Sequence, residues 1–239
     1  MKPNTLSDEL VNKLKENPLA NIQCLGFIKN IIPTFVKEVR NTIIVKGTSD
    51  HEWTYVCANA AEDFSYLQPE FSEKDQYFFT NNTEIKNFLI NNLGCKIFFE
   101  AVAYYYPEHA VSFKETEIME PVKPGDADII WDNSEYKEVM DLSYIKDRIT
   151  NGISAGIYNG GKLVSWSLTH DDNSIGFLHT IEAERKKGYA LNIVANMTRQ
   201  TLDKNEIPFV QISENNIKSY SLVVKLGYKR LGNSFWLYR

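Results

Sequence analysis

The sequence Arg185-Lys186-Lys187-Gly188-Tyr189-Ala190 separates two runs of different periodicity. Residues 175–181, before it, have the length and apolar composition of a strand. The apolar residues after it recur at helical spacing: Leu191, Val194, Ala195 and Leu202. A glycine where a helix begins lets a ligand approach the backbone, and the free N–H groups of the first turn attract an anion. The sequence therefore predicts strand, basic turn and helix, with either a pyrophosphate site at the turn or only a basic loop that opens an ordinary helix.

Composition and charge narrow the class of protein. The chain has 239 residues, enough for one large domain or two small ones. It is 43% hydrophobic and 13% aromatic, which predicts a substantial core and argues against disorder. Its net charge of −5 argues against a general nucleic-acid binder, because such a protein needs a basic field. The basic turn is therefore a local feature of an acidic chain.

Cysteine and histidine usage bears on compartment and metal binding. The cysteines are odd in number and lack metal-ligand spacing, which predicts reduced thiols in a cytosol: Cys24, Cys57 and Cys95. The histidines also lack ligand spacing, so no metal is expected: His51, His109, His170 and His179. No apolar run reaches membrane-spanning length, and the first residues do not resemble a signal peptide. We expect a soluble, cytoplasmic protein with no membrane partner.

Residues 1–110 alternate between strand-like and helix-like patterns, which predicts an N-terminal α/β domain. The predicted strands are 22–28, 42–45, 52–57, 77–80 and 96–106. The predicted helices are one capped by Thr5 or Ser7, one at 60–67, and one capped by Asn82 or Thr83 that ends at Gly94. No catalytic motif is visible in this half.

Residues 111–239 are predicted to form a second domain, with residues 121–125 as the most plausible seam. A strand at 113–119 and helices at 126–131 and 140–149 are expected first. Strands at 153–158 and 163–168, joined by a glycine turn, and the strand at 175–181 then lead antiparallel into the basic turn. After the long helix come a strand at 209–212, a helix capped by Asn215 or Asn216 that ends at Gly227, and strands at 228–231 and 235–238.

Two motifs in the C-terminal half resemble those of the GCN5-related N-acetyltransferase (GNAT) superfamily. Arg185-x-x-Gly188-x-Ala190 is similar to its pyrophosphate motif. Asn216-x-x-Ser219 and Lys225-Leu226-Gly227-Tyr228 are similar to its downstream signature. Val164-Ser165-Trp166, and Thr180 ahead of Arg185, look closer to the glycine N-acyltransferase-like branch. The similarity covers roughly residues 113–239 and is much looser in the N-terminal half.

The resemblance implies a fold and a reaction. The fold would be α/β, with a mixed, mostly antiparallel GNAT sheet flanked by helices and an N-terminal degenerate GNAT-like half. The enzyme would be an N-acetyltransferase or N-acyltransferase that moves an acetyl or other short acyl group from CoA to a primary amine by direct attack. Acetyl-CoA or another acyl-CoA would be the co-substrate, and a small-molecule or peptide amine the acceptor. The protein would be a monomer or homodimer.

The resemblance also implies the residues that hold the co-substrate. The pantetheine arm would follow the strand, the pyrophosphate would lie on the basic turn, and the asparagine motif would contact the CoA. These residues are Leu178, His179, Thr180, Arg185, Lys186, Lys187, Gly188, Tyr189, Ala190, Asn216 and Ser219.

The catalytic groups stay open at this point. Val223 stands where many relatives have a tyrosine acid, and Gln211 where a glutamate is common. His179, with a pKa suited to proton removal at neutral pH, and Glu182, just past the strand, are candidate bases. Tyr220 is a candidate hydroxyl donor one helical turn before Val223. Asp172 and Ser174 lie near the position of an acidic residue in the glycine N-acyltransferases, although Ser174 is not acidic.

Two other functions remain possible from the sequence. Val223 and Gln211 are compatible with a catalytically degenerate CoA-binding or peptide-binding GNAT module. A P-loop nucleotide-binding protein is weaker, because no Lys-Ser/Thr pair follows the glycine and the preceding strands are predicted to be antiparallel.

Overall fold

A computed structural model describes residues 7–58, 64–135, 137 and 140–239. The chain divides into two compact units. Unit 1 comprises Met1–Ala103, Ser213–Asn215 and Leu231–Arg239, and unit 2 comprises Tyr104–Ile212 and Asn216–Arg230. The division differs from the contiguous ranges 1–110 and 111–239, because residues 104–110 lie in unit 2 and the last strand returns to unit 1.

Unit 1 contains a mixed sheet flanked by helices. In chain order its elements are α1 Asp8–Lys15, α2 Ile22–Asn30, β1 Phe35–Val39, β2 Thr42–Thr48, β3 Glu52–Ala58, a 3-10 helix Ser65–Glu70, β4 Tyr77–Thr80, α3 Thr83–Leu93, and most of β5 Lys96–Tyr105 and β10 Lys229–Tyr238. The strand order is β1-β2-β3-β4-β10-β5. The β1–β2 and β2–β3 pairs are antiparallel, and β3 and β4 are parallel. Residues 235–238 of β10 pair antiparallel with β4.

In unit 2 the strands follow the order β9-β8-β7-β6, with both parallel and antiparallel pairs. Its elements are a 3-10 helix Pro124–Asp126, α4 Ala127–Asp132, α5 Leu142–Asn151, β6 Ser154–Asn159, β7 Lys162–Thr169, β8 Ile175–Thr180, a 3-10 helix Glu182–Glu184, α6 Tyr189–Asp203, β9 Phe209–Ile212 and α7 Ile217–Leu226. The β6–β7 and β7–β8 pairs are antiparallel, and β8 and β9 are parallel.

The two halves of the chain repeat one order of elements. The segments from α1 to β5 and from α4 to β10 each contain two helices, three antiparallel strands, a crossover to a fourth parallel strand, a helix and a last strand. They differ at the crossover, which is the long helix α6 in unit 2 and contains the 3-10 helix Ser65–Glu70 in the described part of unit 1. This repetition agrees with an N-terminal half of related, reduced fold.

The sheet of unit 2 has a core on each face. Val164, Val210 and Ile212 pack with Ile193 and Val194 of α6 on one face. Trp166 and Leu168 pack with α4 and α5 on the other, together with Ile130, Ile145 and Ile149. Because successive residues of a regular strand face opposite ways, each β9 side chain can be assigned to one of these faces.

Most of the predicted elements are confirmed. The glycine turn between β6 and β7, the three antiparallel strands and the long helix after the basic turn are present. Ser7, Asn82 and Asn216 cap α1, α3 and α7 through their side chains, and Gly94 and Gly227 end α3 and α7 in the left-handed conformation. Thr5 and residues 60–63 of a predicted helix lie outside the described residues.

Two predicted strands are wrong, and the separate strands predicted at 228–231 and 235–238 are instead one continuous strand, β10. Residues 22–28 lie in the helix α2. Most of them are buried, so the short apolar run has no periodicity that would distinguish a helix from a strand. Residues 113–119 are not a strand, because backbone groups there bond to side chains of α6. Thr116 N–H donates to Asn192 Oδ1 (2.7 Å), and the Phe113 carbonyl accepts from Arg199 Nη2 (3.1 Å).

Unit 1 also contains a cavity of about 390 Å³ near the ends of β3 and β4. Its polar lining consists of carboxamide side chains: Asn17, Gln23, Asn81, Asn82 and Asn233. No charged side chain is among the lining residues, so the cavity does not suit a phosphate group. Within the described residues, no helix has the length and apolar character needed to cross a membrane.

Candidate functional site

The basic turn presents free backbone donors at the start of α6. Gly188 is the N-cap residue in the left-handed conformation, with φ of 86°, and Lys186 also has a positive φ of 66°. The N–H groups of residues 186–190 have no acceptor among the residues that the structure describes. Arg185, Lys186, Lys187 and Gly188 are exposed. A helix start with free amides and exposed cations is a suitable site for a pyrophosphate.

The basic side chains of the turn differ in their availability. Arg185 Nε donates to the Thr180 carbonyl (3.0 Å), which fastens the turn to the end of β8. Lys187 Nζ pairs with Glu184 Oε2 (2.7 Å). Lys186 has no ion-pair partner within the described part of the chain, so it can contribute its charge to an anion directly.

Asn192 holds the turn from inside the unit, a role that the sequence motif does not reveal. Its side chain is buried, and its Nδ2 donates to the Gly188 carbonyl (3.1 Å). Its Oδ1 accepts the Thr116 N–H (2.7 Å). A buried carboxamide that uses both ends fixes the glycine peptide and thereby the direction of the amides beyond it.

β8 and β9 separate as they run toward the turn. The two strands pair in register only at Ile175 and Val210. The Ser165 hydroxyl donates to the His179 carbonyl (2.8 Å) and Ile181 N–H donates to the Val164 carbonyl (2.9 Å), so residues 179 and 181 use the β7 edge. Neighbouring strand residues direct their backbone groups to opposite edges, which turns Leu178 toward the gap. A ligand amide in the gap can pair with Leu178.

An irregularity in β8 marks the narrow end of the gap. Phe177 has φ of 53°, and the β7–β8 register shifts between Trp166 and Leu168. The His170 ring stacks on Phe177 with centroids 4.4 Å apart. A Cβ on Gly176 would lie 2.2 Å from His170 Nε2, so this position must be glycine while the ring covers it. The bulge redirects the strand next to the gap.

His179 lies on the sheet face that packs against α4 and α5. Its ring stacks on Trp166 at 4.8 Å and stays partly accessible. Burial lowers the pKa of His179 below its usual value, and the Arg185 charge lowers it further against the opposing effect of Glu135. The imidazole is therefore neutral at pH 7 and able to accept a proton.

The other predicted site residues lie at the edge of this region. Glu182 is exposed in the 3-10 turn after β8, and its carbonyl accepts the Arg185 N–H. Tyr220 is 44% exposed and packs on Tyr104 (5.8 Å between centroids), whereas Val223 is buried in the core.

Asn216 has a structural role in this site. Its Oδ1 accepts the Ser219 N–H (3.1 Å) as the α7 cap, which accounts for the spacing of this motif structurally.

A buried polar cluster lies where β8 and β9 begin to separate. Asp172 is 2% exposed, and its Oδ1 accepts the Ser174 N–H (2.9 Å) and hydroxyl (2.6 Å). Gln211 Nε2 donates to Asp172 Oδ2 (2.7 Å) and reaches Ser174 Oγ (3.2 Å). Burial and then the charge of Asp171 raise the pKa of Asp172 to about 7, against the lowering effect of its hydrogen bonds.

Comparisons with known proteins agree with this geometry. Residues 152–237 match the family model described as FR47-like protein. A solved structure of a GCN5-related N-acetyltransferase from Kribbella flavida superposes with a TM-score of 0.63 at 12% identity, over 92% of this chain and 93% of that chain. The chain has the GNAT fold. No curated protein sequence matches it.

Two further solved structures superpose on nearly the whole chain. A Drosophila protein superposes with a TM-score of 0.79 at 16% identity, covering 99% of this chain and 98% of that chain. A tandem GNAT protein from the clavulanic acid biosynthesis pathway gives 0.56 at 9% identity, covering 99% and 96%. At these identities the neighbours show the fold, and the family-model match is confined to residues 152–237. The glycine N-acyltransferase-like branch stays a prediction.

Metal binding has no support in the described part of the chain, where no group of three or more histidine, cysteine, aspartate or glutamate side chains has a suitable arrangement. The antiparallel pairing of β6, β7 and β8, together with the GNAT fold, argues against a P-loop nucleotide-binding protein.

Proposed function

We propose that unit 2 binds acyl-CoA and transfers its acyl group, acetyl or another short chain, to a primary amine of a small molecule or peptide. The observation that carries the proposal is the combination of free amides at residues 186–190 with the gap between β8 and β9. An anion site and an open strand edge meet at Thr180. A pyrophosphate joined to an amide-containing arm matches both parts.

The co-substrate residues then have distinct roles. The amides of residues 186–190 and the Lys186 charge hold the pyrophosphate, while Arg185 holds the turn against β8. Leu178 offers its backbone to the pantetheine arm, and His179 and Thr180 continue the strand beside it. Asn216 and Ser219 shape the start of α7 through their capping bond.

The reaction needs one carbon–nitrogen bond to form and one carbon–sulfur bond to break. The amine nitrogen attacks the thioester carbon, the CoA sulfur leaves, and one proton passes overall from nitrogen to sulfur. A thiolate with an ordinary pKa near 8.5 is a tolerable leaving group that water can protonate. The protein therefore has to present a neutral amine and accept its proton.

His179 is our preferred base, because its imidazole is held by Trp166, partly accessible and neutral. Glu182 is the second candidate, because its carboxylate is exposed just beyond β8. Tyr220 is the candidate proton donor to the leaving sulfur, since buried Val223 has no hydroxyl to supply.

A CoA-binding experiment with two glycine variants tests the proposal. Gly188→Val and Gly161→Val both place a β-branched residue at an exposed left-handed position of unit 2, with φ of 86° and 78°. Both should destabilise the fold by about 1–2 kcal/mol. Only Gly188→Val should weaken acetyl-CoA binding, by about tenfold or more, because charge-assisted hydrogen bonds to the phosphate are lost.

Isothermal titration with acetyl-CoA measures the affinity, and thermal unfolding measures the shared strain. If Gly188→Val binds acetyl-CoA with the affinity of the wild type, the turn is not part of the CoA site. Acyl transfer is measured separately, as CoA thiol released in the presence of primary amines.

A second function, a CoA-binding module without catalysis, is favoured by buried Val223 and by the packing of Tyr220 on Tyr104. It predicts full CoA binding with no thiol release for any amine.

A further inference from the structure

Gln211 stands at the point where β8 and β9 begin to separate. Val210, beside it, pairs with Ile175, and that pair is the last one in register before the gap opens. Val210 and Ile212 face the α6 core, so Gln211 faces the opposite side of the sheet. This is the side on which His179 stacks on Trp166.

The orientation of the Gln211 carboxamide is fixed by its partners. Asp172 Oδ2 receives the NH₂ end of the Gln211 side chain. The ionised form of Asp172 is an acceptor only and therefore requires this orientation. The reverse orientation would place the Gln211 oxygen against a carboxylate oxygen. Asp172 therefore determines that Oε1 points away from the Asp172–Ser174 pair.

Gln211 Oε1 is a strong acceptor without a donor. It is buried and accepts no hydrogen bond from any residue that the structure describes. A buried acceptor without a partner destabilises the fold, so we expect a donor to be supplied from outside the chain. The Asp172 charge on the other end of the same carboxamide polarises it and strengthens Oε1 as an acceptor.

We propose that Gln211 Oε1 accepts an N–H hydrogen bond from the acceptor amine, and that Asp172 is the positioning residue that holds the carboxamide in this orientation. The inference rests on the proposed acyl transfer and specifies the acceptor class. Because the pKa of Asp172 is near 7, the ionised form that fixes the carboxamide predominates above pH 7, and the binding experiments belong at that pH.

The geometry favours primary over secondary amines. A primary amine has two N–H bonds, so one can stay on Gln211 Oε1 while the other proton leaves as the carbon–nitrogen bond forms. The product amide keeps that hydrogen bond. A secondary amine has one N–H, which it must lose, so its hydrogen bond to Oε1 is broken during the reaction.

The test uses matched amines and matched glutamine variants of the full chain. The probes are benzylamine with N-methylbenzylamine and glycinamide with sarcosinamide, titrated by calorimetry into the protein with and without saturating CoA. Gln211→Met removes both ends of the carboxamide at similar volume. Gln200→Met is the control, because Gln200 is also half-buried in unit 2 and its Nε2 donates two hydrogen bonds at a distance from this cluster.

We expect wild type and Gln200→Met to bind all four amines and to acylate the primary amines faster than their N-methyl partners, measured as CoA thiol released from acetyl-CoA. Gln211→Met should bind the amines about tenfold more weakly and lose this difference in rate, with unchanged CoA affinity. Asp172→Asn should also weaken amine binding. The NH₂ group of an asparagine can donate to Gln211 Oε1, so the carboxamide of Gln211 is free to rotate by 180°.

Several results would overturn the inference. One is an amine affinity of Gln211→Met equal to that of the wild type, which would mean that Oε1 is hydrogen-bonded to a buried water molecule and not to the amine. Another is a wild type that binds CoA but none of the four amines, which refutes the amine site while the CoA site stands. Failure to bind CoA refutes the proposed function instead, and the titration without CoA then decides the amine site by itself.

Discussion

Asp172→Asn should change how the stability of the folded chain depends on pH. Because the pKa of Asp172 rises from 3.8 to about 7 on folding, the folded state holds its proton across that window while the unfolded state has lost it. Folding is then progressively disfavoured as pH rises from 4 to 7. The full effect above both values is about 4 kcal/mol of unfolding free energy.

His170 acts in the opposite direction over nearly the same window. Burial lowers its pKa from 6.5 to about 4, so the folded state lacks a proton that the unfolded state holds. Its stabilising contribution is lost as pH falls from 6.5 to 4, by about 3 kcal/mol. Between pH 4.5 and 6 the two groups therefore nearly cancel in the wild type. The other titratable groups of the cluster, Asp171, Tyr144 and Arg148, are common to both proteins.

The difference between Asp172→Asn and wild type isolates the aspartate. Urea unfolding at pH values from 4.5 to 8.5 should show that difference growing in favour of the variant by about 2 kcal/mol or more. The variant by itself should gain stability with rising pH, because His170 is no longer offset. Asp203→Asn removes the same charge from an exposed position of α6, so its difference from wild type should stay flat.

A constant difference between Asp172→Asn and wild type across this pH range would refute the reasoning. It would mean that the carboxyl group ionises alike in the folded and unfolded chains. Hydrogen bonds altered by the substitution cannot produce the expected slope, because they shift the free energy by the same amount at every pH.

The remaining predictions concern the base and the turn. His179→Ala should lower turnover by about a hundredfold with little change in CoA affinity, while Glu182→Gln stays active; the reverse pattern in steady-state kinetics would make Glu182 the base. Asn192→Leu removes the acceptor of the Thr116 N–H and the donor to the Gly188 carbonyl, and the loss of these two hydrogen bonds should cost about 1–3 kcal/mol. Denaturant unfolding should show that loss, and calorimetry a weaker CoA affinity; a wild-type affinity would show that the turn needs no such support.

The turn and its surroundings are predictable from the sequence because their signals are local. Gly188 begins α6, Gly227 ends α7, and Asn216 caps α7, each through a bond or a backbone angle within a few residues. The prediction of a strand at residues 22–28 is wrong for the opposite reason. Most of α2 is buried, so its sequence shows no polar face, and the surrounding packing decides between helix and strand.

The Asp172–Gln211 pair could not be deduced from the sequence. The two residues are 39 positions apart, and they meet only because β8 and β9 pair at Ile175 and Val210. From the sequence, Gln211 is only a departure from a common glutamate, and Asp172 is one of several polar residues in a turn. In the structure the Asp172 carboxylate accepts a hydrogen bond from the Gln211 carboxamide and so orients its Oε1.

The repeated topology separates the fold from the proposed site. Both units have three antiparallel strands and a parallel fourth, so that arrangement alone does not create an anion site. What unit 2 adds is a long helix whose first turn carries a glycine and free amides beside exposed cations. The described part of the unit 1 crossover has a 3-10 helix, and the nearby cavity is lined by neutral carboxamides. Within the described residues, the backbone donors suited to a pyrophosphate lie at the start of α6, so CoA should bind to unit 2 with a stoichiometry of one per chain.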